Sequence, residues 1–153
     1  MSERAHPGQC RCGSVRFEAS GAPLITMACH CAGCQRMTGG AYSLSSLYPA
    51  ERFEVTQGET VRGGLKSGPD HRFCAECMSW IWTVPEGLEA FVNVRAPMFD
   101  DAPGHRPYVE MCVNEALPGA ASGAARSYEG FPQESEFPEL IGEYAAWDGK
   151  IPA

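Results

Sequence analysis

The chain has 153 residues, and its 12 basic and 19 acidic residues leave a formal charge of −7. That length supports one domain with its own core, and the negative average field repels the nucleic-acid backbone. No apolar run approaches a membrane span, and the polar start Met1-Ser2-Glu3-Arg4 does not read as a signal peptide, so neither membrane nor nucleic acid is expected as a partner and the cytoplasm is the expected compartment.

In chain order, the first cysteine pair is Cys10-Arg11-Cys12-Gly13. Residues 13–19 alternate as a half-buried strand, and Ser20-Gly21-Ala22-Pro23 ends it. A second strand over 24–28 leads into Cys29-His30-Cys31-Ala32-Gly33-Cys34. On extended backbone Cys29 and Cys31 share one face and His30 points away, while Cys34 reaches back around Gly33, so three thiols converge. Residues 35–40 are expected to turn the chain away, and Arg36 is the nearest cation in sequence, a candidate for positioning an anionic substrate.

Further strands are expected over 41–48 and 53–58, followed by the turn Ser67-Gly68-Pro69-Asp70 and by His71-Arg72-Phe73, which enters the pair Cys74-Ala75-Glu76-Cys77. His71 can approach the metal region, whereas His6 and His105 read as polar terminal and loop residues. Residues 79–84 predict a central strand whose two tryptophans belong to core or interface, and residues 91–94 another. Residues 96–107 predict a loop, 108–113 an extended segment with Cys112 as a buried free thiol, and the chain from about 117 an irregular tail with at most a short helix over 139–146.

Seven of the eight cysteines thus fall into groups of two, three and two. Cys-x-Cys steps are awkward to bridge as disulfides, and the grouping favours metal. A structural zinc takes four ligands and a catalytic one commonly three with an open position, so the simplest division is four and three. The rival division joins Cys29, Cys31 and Cys34 to one distant cysteine. Two zinc ions per chain are expected, the second held less firmly and partly occupied.

Cys10-x-Cys12-Gly13-x-Val15-x-Phe17, then Cys29-His30-Cys31-x-x-Cys34-x-Arg36-x-x-Gly39, then Ser67-Gly68 ahead of Phe73-Cys74-x-x-Cys77 resemble, through about Trp82, the glutathione-dependent formaldehyde-activating enzyme and centromere protein V family. The resemblance implies a mainly β, Mss4-like zinc-containing fold of short antiparallel strands and sheets with little helix, and the length is that of one domain over 1–153. It implies one zinc on Cys10, Cys12, Cys74 and Cys77 and a second site at Cys29, Cys31 and Cys34. Met78 stands where the family usually has glycine, and residues 96–101 replace its usual Gly-Thr-Leu-Asp-Asp-like turn.

Three thiolates exceed the charge of zinc, making it a weak Lewis acid matched to a soft sulfur ligand. The functional expectation is a zinc-dependent carbon–sulfur lyase acting on a small thiol adduct such as S-hydroxymethylglutathione, with glutathione as the first thiol to consider. The alternative is a non-enzymatic zinc-stabilised binding or structural module.

Overall fold

Eleven short strands and two helices make up the regular structure of residues 3–153, the part of the chain described by a computed structural model, so Met1 and Ser2 of the N-terminal reading lie outside the described residues. The strands are β1 (Ala5–Gln9), β2 (Arg16–Ser20), β3 (Ile25–Cys29), β4 (Ser43–Pro49), β5 (Phe53–Gln57) and β6 (Thr60–Gly63). They continue as β7 (Asp70–Cys74), β8 (Trp80–Val84), β9 (Phe91–Arg95), β10 (Val109–Met111) and β11 (Arg126–Ser127), with helices α1 (Ala32–Thr38) and α2 (Phe137–Ala146). One sheet has the order β1-β2-β5, and the other runs β11-β10-β3-β4-β9-β8-β7-β6.

Two cores use opposite faces of the larger sheet. Strand alternation sends Val92 and Val94 of β9 to one side, where they join Tyr48, Trp82 and, from β2, Phe17. Phe17 packs on Phe53 and Phe99 with ring centroids 5.4 and 5.2 Å apart, which glues the small sheet to the large one. The second core gathers Ile25, Met27, Val109, Met111, Leu140 and Tyr144 beneath α2.

Three expectations need correction. The large sheet is not purely antiparallel, because β10 runs parallel to both β3 and β11. The expected turn over 35–40 is instead the end of a helix, α1, which runs over Ala32–Thr38 and stops at Gly39. The tail beyond 117 is more regular than expected: β11 joins the sheet, and α2 spans 10 residues that bury Leu140 and Tyr144. The sequence offered no strand signal for β1, where Pro7 and Gly8 interrupt alternation, or for the exposed hairpin strand β6.

A buried polar line connects the two cores. His6 Nδ1 lies 2.7 Å from Asp101 Oδ2 and His105 Nε2 3.3 Å from Asp101 Oδ1. His105 Nδ1 meets the Ser46 hydroxyl at 2.8 Å, and Ser46 meets Thr26 at 2.7 Å. Both histidines are buried, contrary to their polar terminal and loop reading, and His105 stacks on Phe99 at 4.1 Å between ring centroids. Burial pushes the His105 imidazole down to about 4 despite the Asp101 carboxylate.

The unfolded imidazole titrates at about 6.5 and so binds protons more readily than the folded one. The stability His105 contributes is therefore complete above about pH 6.5 and is lost as pH falls towards 4. Urea midpoints should hold steady above pH 7 and drop between pH 6 and 4. His105→Asn should flatten that drop, and an unchanged slope would contradict the assignment.

Candidate metal centres and the adjoining cavity

The turn after β1 carries Cys10 and Cys12, and the turn after β7 carries Cys77, just past Cys74 at the strand end. Their four sulfurs lie within 4.8 Å of one another. A tetrahedral zinc with Zn–S bonds of about 2.3 Å needs sulfurs about 3.8 Å apart, and Cys10–Cys12 and Cys12–Cys74 stand at 3.6 and 3.8 Å. Backbone N–H groups of Val15, Glu76 and Cys77 point at the buried sulfurs, from 3.3 to 3.4 Å, and favour thiolates. The donor set fits a closed S4 zinc site.

Protonation within this set is uneven. Burial pushes the Cys74 thiol up to about 11. At Cys77 burial acts the same way, but hydrogen bonds from Ser79 and Cys12 outweigh it and bring the thiol down to about 5.

The turn that presents Cys77 carries a cost at Met78, whose φ of 60° lies in the left-handed region. Its N–H still donates to the Cys74 carbonyl at 3.0 Å, so the metal-ligand turn imposes the conformation on a residue that disfavours it.

The second centre is local. Cys29 ends β3, and Cys31 caps α1, its sulfur accepting the Cys34 N–H at 3.4 Å. Thus α1, rather than a loop around Gly33, returns Cys34 to its two partners, and the three sulfurs also lie within 4.8 Å of one another. A hydrogen bond from Cys29 holds Cys34 down at about 5 against burial, helped by Ser43, Cys31 and the charge of Arg95. The same bond pushes Cys29 upward.

The C-terminal half braces this unit. His30 is fully buried, with Nε2 3.0 Å from Glu110 Oε2, so it faces away from the thiols. Gln35 donates to the carbonyls of His30 and Glu115 at 2.6 and 2.9 Å. Cys112 is buried as expected, but it has a φ of 56° and its thiol meets Cys29, a proximity that sequence spacing concealed.

A cavity of about 210 Å³ opens beside Cys29 and Cys34. Its floor is one face of successive strands in register. Met111 pairs with Cys29 and Cys29 with Ser43; Ser45 pairs with Arg95; Asn93 pairs with Thr83 and Thr83 with His71. His71 therefore reaches the cavity, and Trp80 lines it while Trp82 joins the core, dividing the two tryptophans.

Arg36 does not line this cavity and is exposed on α1. The cation there is Arg95, buried to 7% exposure and stacked over Trp80 at 3.9 Å from the ring centroid. The signal for it was the alternation of 91–95: carried one residue beyond Val94, it sets Asn93 and Arg95 opposite the buried valines.

A family model described as glutathione-dependent formaldehyde-activating enzyme matches residues 5–115. No curated protein matches the chain. Among solved structures, the crystal structure of a Rhodobacter sphaeroides protein is similar with a TM-score of 0.51, at 17% identity over 62% of this chain and 88% of that one, a likeness of fold.

Structural zinc binding is worth on the order of 10 kcal/mol, as much as a whole domain's stability. Cys10→Ala should therefore lose both zinc and fold, whereas Cys31→Ala should keep the fold and lose only the second ion. Native mass spectrometry with thermal melts checks this, and equal collapse of both variants would make both centres structural. Met78→Gly should raise stability by about 1 kcal/mol through relief of the left-handed strain, which urea unfolding of the zinc-loaded protein would reveal.

Proposed function

Because the chain belongs to the glutathione-dependent formaldehyde-activating enzyme family, we propose that it is a zinc-dependent carbon–sulfur lyase of small thiol adducts such as S-hydroxymethylglutathione, working in the cytoplasm. One observation carries this reading: Cys29, Cys34, His71 and Arg95 face the same cavity.

Cys10, Cys12, Cys74 and Cys77 would hold a structural zinc, and Cys29, Cys31 and Cys34 a second. When bound at the second site, zinc lowers the pKa of a thiol in its remaining position. The three cysteine sulfurs carry more negative charge than the ion carries positive, so they select a soft sulfur over water. Met27, Met111 and Trp80 keep the surroundings of that sulfur apolar.

His71 handles the proton. Burial, then the charges of Arg95 and Arg62, lower its pKa, so the ring is neutral at pH 7. His71 Nδ1 lies 2.8 Å from the Thr83 hydroxyl, and in the tautomer whose Nδ1–H donates to that oxygen Nε2 is the basic nitrogen. The thiol proton passes to Nε2, the sulfur electron pair forms the bond to the aldehyde carbon, and the proton returns to the former carbonyl oxygen as the hydroxymethyl thioether forms. In the lyase direction the hydroxyl proton goes to Nε2, the carbonyl reforms, and the carbon–sulfur pair returns to sulfur.

In cobalt-substituted protein, addition of glutathione should shift the tetrahedral cobalt bands. In the zinc form, NMR should show exchange between S-hydroxymethylglutathione and its components faster than the spontaneous rate. His71→Gln should slow that exchange by about 100-fold or more while leaving the band shift intact. A spectrum unmoved by any small thiol, with no accelerated exchange, would reject the lyase and leave a zinc-stabilised binding module.

A further inference from the structure

Arg95 is an anomaly by ordinary rules of burial. Its guanidinium is buried, yet among the described residues no carboxylate pairs with it. A buried charge without a hydrogen-bonded partner is costly even where thiolates such as Cys34 lie near it, so a fold that keeps one has another use for its donors. Of the five N–H donors of an arginine, one reaches the Asn93 carbonyl, at a long 3.4 Å, and Nε is buried without a partner. Burial brings the group down only to about 10, and it stays charged at neutral pH.

The cysteine thiols do not use these donors. Among the described residues no hydrogen bond runs from Arg95 to a sulfur, although Cys29 and Cys34 line the same cavity. The thiols influence Arg95 through space and leave its planar fork free. Trp80 stacks under the guanidinium and fixes its orientation, so the fork is organised before anything binds. A planar pair of anionic oxygens is the group such a fork fits best.

Cavity size narrows the partner. At about 210 Å³ the space is smaller than the roughly 300–1,000 Å³ of pockets that enclose drug-sized ligands. What lies between the thiols and Arg95 is therefore short; Met27, Trp80 and Met111 give it apolar walls, Ser43, Ser45, Thr83, Asn93 and His71 add neutral polar groups, and Arg95 is its one cation.

We propose that Arg95 is the anion-binding residue of the site and that the thiol taken here carries a carboxylate within a few bonds of its sulfur, as mercaptoacetate and 3-mercaptopropionate do. The sulfur meets Cys29, Cys31 and Cys34, and the carboxylate accepts two N–H bonds from Arg95. This rests on the reading that a thiol enters the three-cysteine centre, and it specifies which class of thiol.

The test titrates cobalt-substituted protein with mercaptoacetate, 3-mercaptopropionate and the neutral 2-mercaptoethanol, compared at equal thiolate concentration. The acidic thiols should shift the cobalt bands at about tenfold lower concentration or less, the worth of a charge-assisted hydrogen bond. Arg95→Gln should abolish that preference, and Arg95→Lys should retain only part of it, with each variant compared against its own cobalt spectrum before thiol addition. The wild-type comparison needs no variant and decides the matter even if Arg95→Gln fails to fold. Equal shifts by charged and neutral thiols in wild type, or a preference surviving in Arg95→Gln, would overturn this inference alone. Bands unmoved by every thiol would overturn it together with the reading beneath it.

Discussion

Four thiols drawn to one point from turns 62 residues apart set the conditions for everything else in this fold. Closing so long a loop is entropically unfavourable, and four thiolates crowded without a cation repel one another. A divalent ion removes both objections at once. The first core is assembled around this joint: Cys10 and Cys74 are themselves buried in it, alongside Phe17 of the small sheet and Ile81 and Trp82 of the large one. The left-handed backbone at Met78 is tolerated because the same joint over-determines that turn.

The three-cysteine centre answers to different constraints. Its ligands lie within six consecutive residues and need only β3 and α1 to converge, so the fold does not depend on it for long-range closure. Its orientation comes from the C-terminal half, through Glu110 on His30 and the Glu115 carbonyl on Gln35. A rigid but incomplete ligand set, beside a cavity and a buried cation, is the arrangement expected of a site that exchanges ligands, while a complete buried set belongs to architecture.

Cysteine spacing made the ligand groups legible in the sequence, because Cys-x-Cys and Cys-x-x-Cys steps have few structural uses other than holding a metal. Most strands were legible for the same kind of local reason: the segments 13–19, 79–84 and 91–94 become β2, β8 and β9, although the alternation of 79–84 is interrupted within β8. Hidden features were those that tertiary context decides. Helix α1 is too short for periodicity to announce, and it exists because the Cys31 sulfur caps it. The parallel pairing of β10 depends on a long connection whose path leaves no local mark. Arg36 misled because proximity in sequence stood in for proximity in space, and the strand register that brings Arg95 beside Ser45 joins residues 50 positions apart.

One irregularity in the large sheet ties the first core to the cavity. Between β7 and β8 the register shifts, so that Trp82 faces Arg72 and Trp80 faces Phe73, with Ile81 as the extra residue. In a regular strand Trp80 and Trp82 would share a face, and both would enter the core or both the cavity. The bulge lets Ile81 and Trp82 fill the core while Trp80 turns to the other side, beside Thr83. There Trp80 supplies the aromatic platform for Arg95, and its indole N–H donates to the Thr83 hydroxyl at 3.0 Å, the same oxygen that meets His71. A single inserted residue thus positions both the cation and the histidine of the cavity, while its side chain packs in the core that surrounds the four-thiol joint.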